Sequence, residues 1–206
     1  SIVAWGANYG GQSTVPAPNT GFVGVAAGAH HSLGLKADGS VVAWGCGSWT
    51  DYGQCNVPAP NSGFVAVAGG NRHSLGLKAD GSIVAWGSND DIYGNYNGQS
   101  DVPLPNSGFV GIAAGYYHSL GLKGDGSIVA WGCGFPNDYG QCTAPAANAG
   151  FIAVARRCPL FLTEMLPIRC FPSLLKGMLN AQAATPVLLS WGRGWVTGHL
   201  WFSLNW

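Results

Sequence analysis

The sequence predicts an all-β chain, a partial β-propeller of about three to four antiparallel blades followed by a divergent C-terminal segment. Three observations predict it. The phrase HSLGLKADGSIVAWG at 73–87 recurs at 31–45 as HSLGLKADGSVVAWG and at 118–132 as HSLGLKGDGSIVAWG, and a module copied in tandem is scaffolding that covers its apolar face with the next copy. Aligned on the Trp-Gly pair, Trp5, Trp44, Trp86 and Trp131 stand 39, 42 and 45 residues apart, near the period of a four-stranded propeller blade. The 33 glycines follow no every-third-residue period, so they punctuate turns.

Each element of the unit follows in order. GFVGVAAG at 21–28 is short, β-branched and bounded by glycine, as a buried strand is. In HSLGLK, alternation puts His31, Leu33 and Leu35 on one face and Ser32, Gly34 and Lys36 on the other. Asp38-Gly39 is a hairpin turn signal that returns the chain into SVVAWG. A fourth strand is expected in the GQ-x-x-VP-x-P segment, as at 53–60, although its prolines suit only an edge or irregular strand. Small residues at Gly24, Ala66, Gly111 and Ala153 let neighbouring blades approach.

The units run 1–39, 40–81, 82–126 and an incomplete 127–155. Ser1 aligns with Ser40, Ser82 and Ser127, so the expectation is a fragment that opens inside a repeat. From Arg156 the pattern stops, leaving a non-repeat tail at 156–206. Two explanations fit it. One is a separate segment that caps the open blade edge; the other is a lost reading frame, poorly ordered once translated, because codons allowed for Arg156–Leu160 read Ala-Gly-Val-His-Ser one nucleotide later.

The motif VAAG-x-x-HSLGLK-x-DGS-(I/V)VAWG resembles the repeat of the regulator of chromosome condensation family, most of all its compact bacterial form, which also builds a secreted propeller inhibitor of β-lactamases. The resemblance covers residues 1–155 and implies a propeller fold, typically seven-bladed. It also implies, as an alternative function, guanine-nucleotide exchange on a Ran-type GTPase, but no residue here maps onto an exchange surface.

Composition narrows the partners. Of the residues, 47% are hydrophobic and only 9% charged, with nine Lys plus Arg against nine Asp plus Glu. No basic field is available to attract nucleic acid, and no apolar run is long enough to span a membrane. No cofactor is implied.

Nearly all the variation within the repeat has one address. The distance from Gln12, Gln54, Gln99 and Gln141 to the next repeat glycine is always nine residues, and from Gly21, Gly63 and Gly108 to the next Trp always 23. Only the link between WG and GQ changes, as 6–11, 45–53, 87–98 and 132–140. These links carry Tyr9, Trp49, Asp51, Tyr52, Tyr93, Tyr96, Phe135 and Tyr139 among Asn and Gly, a mixture of rigid aromatic anchors and adaptable polar groups that suits a surface for a protein partner. The competing reading is plain hairpin decoration with GQ as turn chemistry.

Cys46 and Cys55 frame one link, and Cys133 and Cys142 another at equal spacing, where the other units have Ala7 with Ser13 and Ser88 with Ser100. Cysteines that come and go as pairs predict two local disulfides, each contributing about 2–3 kcal/mol by chain entropy, and hence an extracytoplasmic or secreted location. Free thiols in a cytoplasmic protein are the alternative; two sulfurs per loop make only half a zinc shell. Cys158 and Cys170 lie in the tail.

His31, His73 and His118, with Trp44, Trp86 and Trp131, read as structural because they repeat in register. A hydrolase built from Ser32, Ser74 or Ser119 with Asp38, Asp80 or Asp125 is disfavoured, since adjacent strand residues face opposite ways. Asn89-Asp90-Asp91 lacks the alternating ligands of a calcium loop and reads as a solvated acidic tip. The chain is expected to be non-catalytic.

Overall fold

The computed structural model describes residues 1–47, 49–134 and 136–155, with the backbone of 188–189. The repeat phrases fold into three antiparallel three-stranded sheets. The first contains β1 (Phe22–Ala27), β2 (Ser32–Lys36) and β3 (Val41–Trp44). The second contains β4 (Phe64–Gly69), β5 (His73–Lys78) and β6 (Ile83–Gly87), and the third β7 (Phe109–Ala114), β8 (Ser119–Lys123) and β9 (Ile128–Trp131). A fourth begins with β10 (Val154–Ala155), which pairs in parallel with β11 (Leu188–Leu189). The remaining tail lies outside the described residues. Each sheet takes its last strand from the residues after the Asp-Gly turn, so the sheets straddle the boundaries of the sequence units.

Alternation along the middle strand drives the packing. Leu33, Leu35 and Val41 of the first sheet close on Phe64 and Trp86 of the second, while Leu75, Leu77 and Ile83 close on Phe109 and Trp131 of the third. Leu120, Leu122 and Ile128 take Phe151 in the same way. Burying a side chain of this size contributes roughly 1.5–3 kcal/mol, so each interface is a small core that no single blade can form. The glycine inside HSLGLK belongs to the same design: a Cβ on Gly76 would stand 2.4 Å from the Phe64 ring. The inner strands β1, β4, β7 and β10 stand side by side. Between them lies a small open pocket of about 180 Å³ lined by Ala26, Ala68 and Ala113 among others.

The expected fourth strand does not form. Residues 53–63 run through turns and unpaired backbone, and Asn61 does the strand's work with its side chain: Oδ1 accepts from Val41 N at 2.7 Å and Nδ2 donates to Val41 O at 2.8 Å. Asn106 treats Ile83, and Asn148 treats Ile128, in the same way. One carboxamide carries the donor and acceptor that the sheet edge needs, and the prolines that could not join a ladder are then no obstacle.

Candidate functional site

The pairing of Ser32 with Trp44 places each WG–GQ link at the same end of the sheet as the turn between the first two strands, and the Asp-Gly turns at the other. These links are held at their bases in two chemically different ways. In the second and fourth, Cys46 is bonded to Cys55 and Cys133 to Cys142, with Cα separations of 6.1 and 6.0 Å. In the first and third, an asparagine does the bracing. Asn8 Oδ1 accepts from Ser13 N at 2.8 Å while its Nδ2 donates to Thr14 Oγ1 at 2.9 Å, and Asn89 takes Ser100 N and Asp101 Oδ1 at 2.6 and 2.8 Å.

The glutamine of GQ closes the turn inside the link. Gln54 Oε1 accepts from Tyr52 N and Gln141 Oε1 from Tyr139 N, both at 2.6 Å, and each amide donates back to the link's own backbone, at Thr50 O and Asn137 O. In the longer third link Gln99 instead donates to Asp90 O at 3.2 Å.

Neighbouring links are tied together. Gly47 N donates to Gly10 O at 3.0 Å. Arg72, from the β4–β5 turn, donates to Tyr52 Oη at 2.8 Å and to Asp91 O at 2.7 Å. Asn137 Nδ2 donates to Asp91 Oδ2 at 2.8 Å and to Asn97 Oδ1 at 3.2 Å. That last approach needs a glycine next to Cys133, because a Cβ on Gly134 would fall 2.3 Å from Tyr96 O. The four links therefore form one continuous edge.

On this edge Tyr9, Trp49, Tyr93, Tyr96 and Tyr139 are exposed, Trp49 by 92% and Tyr93 by 82%. Asp51 is exposed and accepts from Gly53 N at 2.9 Å. Tyr52 is half-buried under Arg72 and braces the edge. The Tyr96 hydroxyl donates to Asp101, which pushes its ionisation up. Phe135 lies outside the described residues.

The acidic-tip reading of Asn89-Asp90-Asp91 needs correction at Asp91, which is only 1% exposed. Its Oδ1 accepts from Tyr93 N and Asn95 N, and its Oδ2 from the amides of Asn95 and Asn137, all within 2.9 Å. Burial opposes ionisation, but these donors outweigh it and hold the carboxyl well below the usual carboxylate range. The sequence conceals this role because one of the donors arrives from the next blade.

The histidines meet serines, but across blades. His31 Nε2 lies 2.8 Å from Ser74 Oγ and His73 Nε2 3.0 Å from Ser119 Oγ. Ser74 donates its single hydroxyl hydrogen to Gln54 O, which also accepts from Trp86 Nε1; His31 must therefore donate through Nε2. Ser119, Gln99 O and Trp131 repeat the arrangement. The polarity is the reverse of nucleophile activation, and Ser74 and Ser119 are fully buried. The aspartates are far from these serines in role: Asp38 accepts from the Ser40 hydroxyl and N–H, Asp80 and Asp125 do the same with Ser82 and Ser127, and these bonds lower all three carboxyl pKa values. Among the described residues no three His, Cys, Asp or Glu converge as a metal site, and no helix is long and apolar enough to cross a membrane.

The sequence reading missed a second variable set on this edge, the two residues before each repeat histidine. Ala29-His30, Asn71-Arg72 and Tyr116-Tyr117 change while the flanking AG and HSLGLK stay nearly constant, and that contrast was the available signal. Arg72 links two WG–GQ loops from here, while Tyr116 and Tyr117 pack edge to face at 4.5 Å.

The blade pattern and comparison with known proteins agree. The model of the regulator of chromosome condensation (RCC1) repeat matches residues 22–54, 64–99 and 109–141, and these segments are repeats of that family. Among solved structures, the ectodomain of the Physcomitrella patens receptor kinase CR4 superimposes with a TM-score of 0.54 at 23% identity, over 74% of this chain and 40% of that one. The CRINKLY WD40 ectodomain of the Arabidopsis thaliana receptor kinase ACR4 is 29% identical, with a TM-score of 0.49 over 64% and 44% of the two chains. Saccharomyces cerevisiae Prp20p, whose structure is described together with its binding to Gsp1p and histones, gives 22% and 0.48 over 68% and 41%. The chain thus spans about two fifths of the length of these proteins. No curated protein matches it. The fold is that of a β-propeller.

Proposed function

We propose that this chain is a non-catalytic propeller module that binds a protein partner through its WG–GQ edge. The observation that carries the reading is the contrast in aromatic exposure. Of the four WG tryptophans, Trp44, Trp86 and Trp131 are buried and Trp5 of the first unit is exposed, whereas the link aromatics Tyr9, Trp49, Tyr93, Tyr96 and Tyr139 all stand in solvent on braced loops. Rigid, exposed aromatics lose little entropy when a partner covers them. Tyr52 and Asp51 shape the surface beside them, and Phe135 belongs to the same proposal by its place in the fourth link. The two disulfides support an extracytoplasmic setting. No specific observation among the described residues favours nucleotide exchange or inhibition of a secreted enzyme over this general role.

The test is selection of binders from a displayed library of random dodecapeptides, followed by Trp49→Ala, Tyr93→Ala and Tyr139→Ala in the full chain. At least one substitution should weaken the selected binders by roughly tenfold or more, as hot-spot aromatics do, with the thermal midpoint unchanged. Binders indifferent to all three substitutions would place recognition elsewhere.

A further inference from the structure

The chain's formal charge of zero hides a strong asymmetry between the two ends of the blades. At the Asp-Gly end, Lys36, Lys78 and Lys123 balance Asp38, Asp80 and Asp125, three against three. The WG–GQ end carries every other charged side chain among the described residues: Asp51, Asp90, Asp91, Asp101 and Asp138 against Arg72, five against one and a formal −4. The balance is restored only by residues 156–206, with five Arg or Lys and one Glu.

The same edge also shows how it holds a cation. The Arg72 guanidinium carbon lies 3.7 Å from the centre of the Tyr52 ring, and its nitrogens donate to the Tyr52 hydroxyl and to Asp91 O. Ring face, phenol oxygen and loop carbonyl together make a guanidinium seat. Trp49, Tyr93 and Tyr139 offer aromatic rings that are uncovered, with Asp51, Asp90 and Asp138 one to three positions away in the same loops.

We infer that the WG–GQ edge is a docking surface for a cationic protein segment whose Arg or Lys side chains stack on Trp49, Tyr93 and Tyr139 under the field of the loop aspartates. The inference rests on the protein-binding reading above and adds the chemistry of the partner. Nucleic acid is excluded by the sign of the field, and the attraction is of the long-range kind that steers association and fades with salt.

The test uses the full chain and a labelled decapeptide of alternating Arg and Gly, with a Glu-for-Arg counterpart, followed by fluorescence anisotropy at low and physiological salt. The triple variant Asp51→Asn, Asp90→Asn, Asp138→Asn removes the three charges placed beside these rings while Asn at 51 and 138 keeps an Oδ1 acceptor for the Gly53 and Gly140 N–H, and its thermal midpoint is measured alongside. The Arg peptide should bind, the Glu peptide should not, and both the triple variant and Trp49→Ala with Tyr139→Ala should lose roughly tenfold, on the scale of a few steering charges or one aromatic anchor. Equal binding of the two peptides, or Arg-peptide binding that ignores both variants, overturns the inference. Neutral or acidic library peptides that depend on Trp49 and Tyr139 would overturn it too, yet leave the protein-binding reading standing; library peptides indifferent to those rings would remove both.

Discussion

The first and third WG–GQ loops are braced by Asn8 and Asn89, the second and fourth by disulfides. Both devices close the loop base, the asparagines from one residue beyond the position of the first cysteine, and they act on different states of the chain. A disulfide persists in the unfolded protein and limits its conformational freedom. An asparagine brace exists only after folding, and water competes for each of its bonds. Equal geometry in the native structure therefore implies unequal consequences when the chain is stressed.

The largest effect should come from breaking a covalent brace. Cys46→Ala with Cys55→Ala should cost about 2–3 kcal/mol in urea unfolding on the chain-entropy account, with the slope of the transition unchanged. Reductant should act in the same sense, exposing the Trp49 and Tyr139 loops to limited proteolysis while cleavage near Tyr9 and Tyr93 stays as it was. A loss no larger than that from an asparagine brace would show that the bond contributes little beyond local geometry.

Next in size is the reverse exchange. Ala7→Cys with Ser13→Cys should place a third disulfide in the first loop, where Ser13 Oγ already donates to Ala7 O at 2.9 Å, and raise stability by up to about 2 kcal/mol. Mass spectrometry of alkylated, unreduced protein counts the bonds directly. Persistent free thiols would mean that the two kinds of loop differ in backbone path as well as in brace.

Smaller still is Asn89→Ala, which removes the acceptor of Ser100 N and should cost about 1 kcal/mol, read as a lower urea midpoint. The last effect is pH-dependent. Asp91, which ties the third loop to the fourth, has a carboxyl pKa lowered by folding, so its contribution is complete above the unfolded value of about 3.9 and is lost as pH falls through the depressed folded value. Acid unfolding of Asp91→Asn should accordingly be less steep than that of the parent below about pH 4. Superimposable acid profiles would mean that the carboxylate is not what joins these loops.

Much of this was legible in the sequence for one reason: the information is local. The period of two in HSLGLK, the Asp-Gly turn and the matched loss of both cysteines are read along a few residues, and the strands and disulfides appeared where those signals placed them. The expected fourth strand failed on a contact that spacing does not announce, the Asn61 side chain pairing with Val41 across 20 positions. Asp91 was misread for a related reason, since its Asn137 donor stands 46 residues away.

By itself, then, the sequence determined that this chain stacks copies of one antiparallel unit and confines its variation in length to one link, because hydrophobic period, turn chemistry and repeat spacing are properties of short windows. Only the tertiary structure decided that His31 of one blade meets Ser74 of the next, that the links fuse into a single edge, and that the charges sort into a balanced end and an acidic end. Those facts depend on the register in which one blade sits against another, and register is fixed by the packing of Leu33 and Leu35 on Phe64 and Trp86, a contact that exists only once both sheets are formed.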